Sequence, residues 1–124
     1  MRLLLDTHVL LWWSTDSPRL EESAREAIRS AGCVVVSAAS AWEAAIKAGS
    51  GKLTLSVPFD AVAEVNGFEK LPITFAHAAV VVTLPEHHRD PFDRMLVAQA
   101  QTEGLTLVTH DRALEPYGIP ILWT

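Results

Sequence analysis

Three short runs in this chain, Leu3-Leu4-Leu5, Cys33-Val34-Val35-Val36 and, with a single threonine, Leu105-Thr106-Leu107-Val108, hold apolar residues at neighbouring rather than strictly alternate positions. Side chains of a strand point to its two faces in turn, so runs of this kind need cover on both sides. The segments between them carry apolar residues at helical spacing. Strand–helix–strand repetition implies right-handed crossovers. The expected fold is therefore α/β, a three-layer sandwich whose mainly parallel central sheet is flanked by helices.

Local signals set the expected elements. A short helix follows the first strand, from Thr7 to about Ser14. Ser17-Pro18 suits the start of a second helix, with Ser17 as cap and Pro18 in the first turn. Its apolar stripe is Leu20, Ala24, Ala27 and Ile28, and Gly32 ends it. A third helix spans Ala38 to Ala48 and stops at Gly49-Ser50-Gly51, and a fourth begins at Pro58. Phe68 to Ile73 reads as a further strand, and Thr74 caps the helix after it. Asp90-Pro91 opens a helix that runs to Gln101 and ends at Gly104. Asp111 to Leu114 forms one helical turn. The last strand, Ile119 to Trp123, contains Pro120 and so belongs at an edge.

Composition narrows the function. The chain has 124 residues, 49% of them hydrophobic. That length suits one domain, residues 1–124, burying about two-thirds of its unfolded surface. Cys33 has no cysteine partner and reads as a small core residue, which fits a reducing cytoplasm. No apolar run reaches the ~18 residues of a membrane span. Asp6 and His8 interrupt the N-terminal segment where a signal peptide would lie. Ten basic against fifteen acidic residues give a net charge of −5. A generic nucleic-acid coat would be basic, whereas an enzyme with a local basic rim is compatible with this balance.

Four acids stand where a parallel sheet brings them to one edge. Asp6 and Asp111 directly follow apolar strands, at the carboxyl ends where open α/β sheets bind ligands. Glu43 lies in the helix that starts from the second strand. Asp93 shares a helical stripe with Leu96, Val97 and Ala100, a face that should be buried. Like charges gathered in one cleft raise each other's pKa unless a cation neutralises them. Each acid also has an ordinary explanation. Asp6, Asp90 and Asp111 suit helix caps, Asp93 a helix dipole, and Glu43 an i,i+4 pair with Lys47. Taken together, the four point to a divalent-cation site of Mg²⁺ or Mn²⁺ type. Asp90 is expected in a supporting role, as are Thr7 and Thr109, whose hydroxyls can orient carboxylates. Ser40 is a weaker candidate of the same kind.

Other residues bear on the reading. His87-His88 are adjacent rather than at ligand spacing, and His8, His77 and His110 are scattered, so the histidines are expected outside the centre. Arg89, Arg94 and Arg112 lie near the acids in sequence and are candidates for holding flanking phosphates. Trp12 and Trp13 cannot both face inward from one helix, so one is expected on a partner surface. Trp42 is expected in the core.

At these residues the chain resembles a PIN domain, and within that family the VapC toxins of bacterial toxin–antitoxin pairs. The matching pieces are Leu4-Leu5-Asp6-Thr7-His8-Val9-Leu10-Leu11-Trp12, Ser37-Ala38-Ala39-Ser40-Ala41-Trp42-Glu43 with Lys47, and Gly51-Lys52-Leu53. They continue with His88-Arg89-Asp90-Pro91-Phe92-Asp93-Arg94-Met95-Leu96, Ala98-Gln99-Ala100 and Leu107-Val108-Thr109-His110-Asp111. The resemblance implies a PIN-like fold and a metal-dependent endoribonuclease. Asp6, Glu43, Asp93 and Asp111 would be its catalytic, metal-site residues and Thr7 a supporting one. It also implies an RNA substrate, a homodimer, and a cognate antitoxin that pushes a basic side chain into the acidic pocket.

Rival readings make different demands. A receiver-like Mg²⁺-binding signalling domain needs paired acids after the first strand and a lysine after an inner strand, where this chain has Asp6-Thr7 and Thr109-His110. A phosphatase with an aspartate nucleophile needs a second aspartate at the position of His8. A non-catalytic dimerisation module predicts indifference to metal.

Overall fold

A computed structural model describes residues 1–124. Its strands are β1 (Arg2–Leu5), β2 (Cys33–Ser37), β3 (Glu69–Leu71), β4 (Thr106–Thr109) and β5 (Ile121–Trp123). They form one sheet in the order β3-β2-β1-β4-β5, and every neighbouring pair is parallel. The helices are α1 (Thr7–Ser14), α2 (Glu22–Ser30), α3 (Ala38–Gly49), α4 (Phe59–Val65), α5 (Phe75–Thr83) and α6 (Pro91–Glu103), with a 3₁₀ turn at Arg112–Tyr117.

Consecutive apolar strand residues serve two cores, as the sequence requires. Leu3, Leu5, Val34, Val36 and Val108 pack with Leu10, Ala24, Ile28 and Phe59 on the side of α1, α2 and α4. Leu4, Val35 and Leu107 pack with Leu96, Val97 and Leu114 on the side of α6 and the 3₁₀ turn. Ala44 of α3 belongs to the first cluster and Ala39 to the second. Helix α3 therefore bridges the two layers at the sheet's end, which places Glu43 between them.

The boundaries differ from expectation where side chains compete with helix or ladder. The second helix begins at Glu22, not Pro18. Ser17 Oγ instead accepts from the Arg19 amide at 3.2 Å, and Asp16 takes a left-handed φ of 52°. Such local side-chain bonds offer the backbone an alternative to helix. Strand β3 is cut to three residues before Pro72, which has no amide to donate. Strand β5 lies at the edge as expected, and Pro120 precedes it while lending its carbonyl to the Leu107 amide at 3.0 Å. Asp90 caps α6 with Pro91 at its start, and Gly104 ends it at φ 66°, a conformation that suits glycine.

Candidate active site

Register builds the floor of the site. Strands β1 and β4 are neighbours with Leu5 opposite Val108, so Asp6 and Thr109 emerge side by side. The Asp6 amide donates to the Val108 carbonyl at 3.1 Å, which holds this end of the ladder closed. Asp6 Oδ1 accepts from the Val9 amide at 3.0 Å and so caps α1. Its other oxygen accepts from the Thr109 hydroxyl. Thr109 Oγ1 in turn accepts from the Asp111 amide at 3.1 Å, so a single buried threonine joins two of the acids.

The other acids enter from three further elements. Glu43 comes from α3 and is buried. Thr7 donates to its Oε1 at 2.6 Å and Lys47 to its Oε2 at 2.8 Å. The i,i+4 pair is therefore real, and it lies inside the cleft rather than being an alternative to it. Asp93 is the third residue of α6, where its amide donates to Asp90 Oδ1 at 3.0 Å. Asp111 caps the 3₁₀ turn through Oδ1 and turns Oδ2 toward His88. Asp6, Glu43, Asp90, Asp93 and Asp111 all line one cleft of about 180 Å³.

Protonation follows from that crowding. Burial holds Asp6 above the usual carboxylate range, against the hydrogen bonds from Thr109 and the Val9 amide, which act the other way. Burial also raises Asp93 to about 7, helped by the charge of Asp90 and, to a smaller extent, of Asp6 and Glu43. Lys47 is held above its ordinary value chiefly by its hydrogen bond to Glu43. The cleft contains more negative charge than its own lysine offsets.

His88 is a site residue that the sequence reading missed. Its Nε2 lies 2.9 Å from Asp93 Oδ2 and 3.3 Å from Asp111 Oδ2. One ligand atom from each of these three residues falls within 4.8 Å of the others, a spacing that one cation can bridge. The criterion applied to the histidines, spacing to another histidine, overlooked spacing to an acid five residues on. Two carboxylate oxygens with one imidazole nitrogen fit a divalent metal ion.

The three arginines separate. Arg94 is committed to the protein: Nη1 donates to Pro85 O at 2.9 Å and Tyr117 Oη at 3.2 Å, and Nη2 to Val81 O at 3.1 Å and Leu84 O at 3.3 Å. It ties the end of α5 to the segment that carries His88, and a phosphate would have to displace those bonds. Arg112 lies over the Trp123 ring at 4.1 Å. Arg89 is exposed beside Trp42, Pro91 and Phe92.

The tryptophans also depart from expectation. Trp12 and Trp13 are both half-buried against the same core, and Trp13 Nε1 donates to Asn66 Oδ1 at 3.1 Å. The bare ring is Trp42, 60% exposed and edge-on to Phe92 at 5.0 Å. Ser40 Oγ is buried with no partner. Cys33 is half-buried at the head of β2, 3.3 Å from Glu69 Oε2, rather than within the core.

Known proteins share both the sequence pattern and the architecture. The ribonuclease VapC22 of Mycobacterium tuberculosis is 37% identical over 121 residues, covering 95% of this chain and 93% of that protein. The structure of VapBC2 from Rickettsia felis, bound to a DNA fragment from its promoter, superposes with a TM-score of 0.73 at 14% identity over 98% of both chains. The DNA-bound VapBC of Salmonella typhimurium gives 0.71 at 21% identity, over 98% of this chain and 97% of that one. These two likenesses establish the fold. The PIN domain profile matches residues 3–119, a span that includes every acid of the cleft. With a parallel sheet in that strand order and its acids at the carboxyl edge, the chain belongs to the PIN domain family.

Proposed function

We propose that residues 1–124 form one PIN domain that acts as a divalent-metal-dependent endoribonuclease, the toxin of a toxin–antitoxin pair neutralised by a cognate antitoxin protein. The observation that carries the reading is the convergence of Asp6, Glu43, Asp93 and Asp111 on one cleft, where burial raises Asp6, and burial together with the neighbouring acids raises Asp93. The ribonuclease relative, similar over most of both chains, supports the same activity.

In this reading Asp6 and Asp93 would hold Mg²⁺ or Mn²⁺, with Asp111 and Glu43 as the further acids of the centre. His88 adds a nitrogen donor, which favours Mn²⁺ over Mg²⁺. A divalent ion there supplies charge to offset the phosphate oxygens and makes water acidic enough to attack near neutral pH. The protein's own part is to hold the donors still. Thr109 fixes one oxygen of Asp6, the Val9 amide the other, and Thr7 with Lys47 fixes both oxygens of Glu43. In-line hydrolysis leaves a 5′-phosphate and a 3′-hydroxyl and asks nothing of the RNA 2′-hydroxyl. Arg89 and Arg112, next in sequence to Asp90 and Asp111, are the candidate contacts for neighbouring phosphates.

The excess of acids also explains how a partner silences the site: a basic side chain from an antitoxin satisfies the charge that the cation otherwise offsets. A homodimer and a cytoplasmic location belong to the same reading. No helix is long and apolar enough to cross a membrane, and Cys33 is a free thiol. Labelled RNA incubated with the purified protein tests the activity: cleavage with Mn²⁺ or Mg²⁺ and none with EDTA is expected. Asp6→Asn should lower the rate at least about 100-fold with the fold intact. Undiminished cleavage by a folded Asp6→Asn protein would refute the assignment.

A further inference from the structure

Among the residues that line the acidic cleft, Trp12 alone is hydrophobic. It stands four residues after His8 on α1, so the two share a helix face, and their ring centroids are 6.2 Å apart. His110, from the turn after β4, approaches the indole from a different strand end, at 5.0 Å and 45°. Three rings thus form one wall beside the acids. Its centre is anchored, because Trp12 packs against the core on the α1 side. Its rim is open, because His8 and His110 are exposed.

This wall matters because the usual source of RNA affinity is scarce. The chain carries a net charge of −5. Of the cations around the cleft, Lys47 is paired with Glu43, Arg94 donates to carbonyls and Arg112 covers Trp123, which leaves the exposed Arg89 as the one uncommitted arginine. Stacking of a base on an aromatic ring needs no net charge and tolerates any base. An anchored ring beside a phosphate-binding centre is within reach of the base on the adjoining nucleotide.

We propose that Trp12, flanked by His8 and His110, seats one unpaired nucleobase next to the scissile phosphate. The proposal rests on the ribonuclease reading of the cleft and adds a requirement to it. A base stacked on this wall has left any duplex, so the RNA is single-stranded at that nucleotide.

Kinetics on a random-sequence single-stranded RNA pool in Mn²⁺, and on an oligonucleotide carrying a cut site recovered from it, test the idea. Trp12→Ala should raise KM about 10- to 100-fold, the range of one lost base stack, while kcat changes little. Trp12→Phe should restore most of the affinity, and His110→Ala should give a smaller rise in KM. Removing the base on one side of the cut should weaken binding to the wild type and leave Trp12→Ala indifferent. If Trp12→Ala fails to fold, the exposed His110 variant and the abasic substrate decide the matter, and no effect from either overturns the proposal. An unchanged KM for a folded Trp12→Ala protein overturns base seating while cleavage still stands. A wild type that cuts nothing in Mn²⁺ removes the ribonuclease reading and this one with it.

Discussion

The acid cleft and the seam between α5 and α6 both bury polar groups, yet they are resolved in opposite ways. In the seam, the Thr74 amide donates to His77 Nδ1, which places the ring proton on Nε2, 2.8 Å from Glu103 Oε2. The Thr74 hydroxyl accepts from the His77 amide and completes a capping box. Donors and acceptors there match, apart from Gln99 Oε1, which has no partner. In the cleft, five carboxylates face one lysine, His8 and His110 line the same wall, His88 meets Asp93 and Asp111, and both Asp6 and Asp93 are raised above their ordinary values. Burial of polarity is thus not itself a sign of function. The sign is buried charge that the protein's own groups leave unbalanced: the seam leaves one neutral amide oxygen unpaired, whereas the cleft gathers five carboxylates.

The contrast breaks most visibly if Asp93→Asn behaves like a seam variant. Removing one charge from the cleft should abolish metal-dependent cleavage, by about 100-fold or more, yet raise the melting temperature in EDTA at pH 8 by relieving repulsion. A lower melting temperature with cleavage intact would put Asp93 in the structural class. The seam predicts the reverse. His77→Ala leaves a cavity and an unpaired Glu103, costing about 2–4 kcal/mol in urea titration, with cleavage per folded molecule unchanged.

Acidity sharpens the same comparison. Asp93 holds its proton up to about pH 7 when folded, against an ordinary value of 3.8. Between those limits the folded state binds more protons than the unfolded chain, so this group's stabilisation is full below about 4 and lost as pH rises through 7. Metal-free protein should therefore lose roughly 1–3 kcal/mol over that interval from the cleft. A bound cation replaces the proton, so Mn²⁺ should raise the melting temperature little at pH 5 and most at pH 8. Denaturation curves with and without Mn²⁺ across this range measure the effect, and a pH-independent metal shift would contradict it.

Much of this was legible in the residues. Two-sided apolar runs such as Val34-Val35-Val36 required a covered parallel sheet, and strand-end position marked Asp6 and Asp111. What escaped were contacts that need three dimensions. His88 meets Asp93 and Asp111 because Arg94 and Tyr117 fix the chain between α5 and α6, and no spacing rule for metal ligands contains that path. Arg94 looked available only because carbonyl acceptors are invisible in a sequence. The start of α2 moved because Ser17 bonds its own neighbourhood rather than the helix. Trp12 and Trp13 both pack at the margin of one core, and Phe68 lies beside the Trp13 ring at 5.9 Å.

The link from Asp6 through Thr109 spans β1 and β4, two strands with neighbours on both sides. Strands at the middle of a sheet are the last to open, so the backbone amides of β1 and β4 should exchange hydrogen only when the whole molecule unfolds. A centre founded on such strands is better silenced by a stopper set from outside than by melting the strands that carry Asp6 and Thr109. Once the stopper is removed, the catalytic frame is already in place.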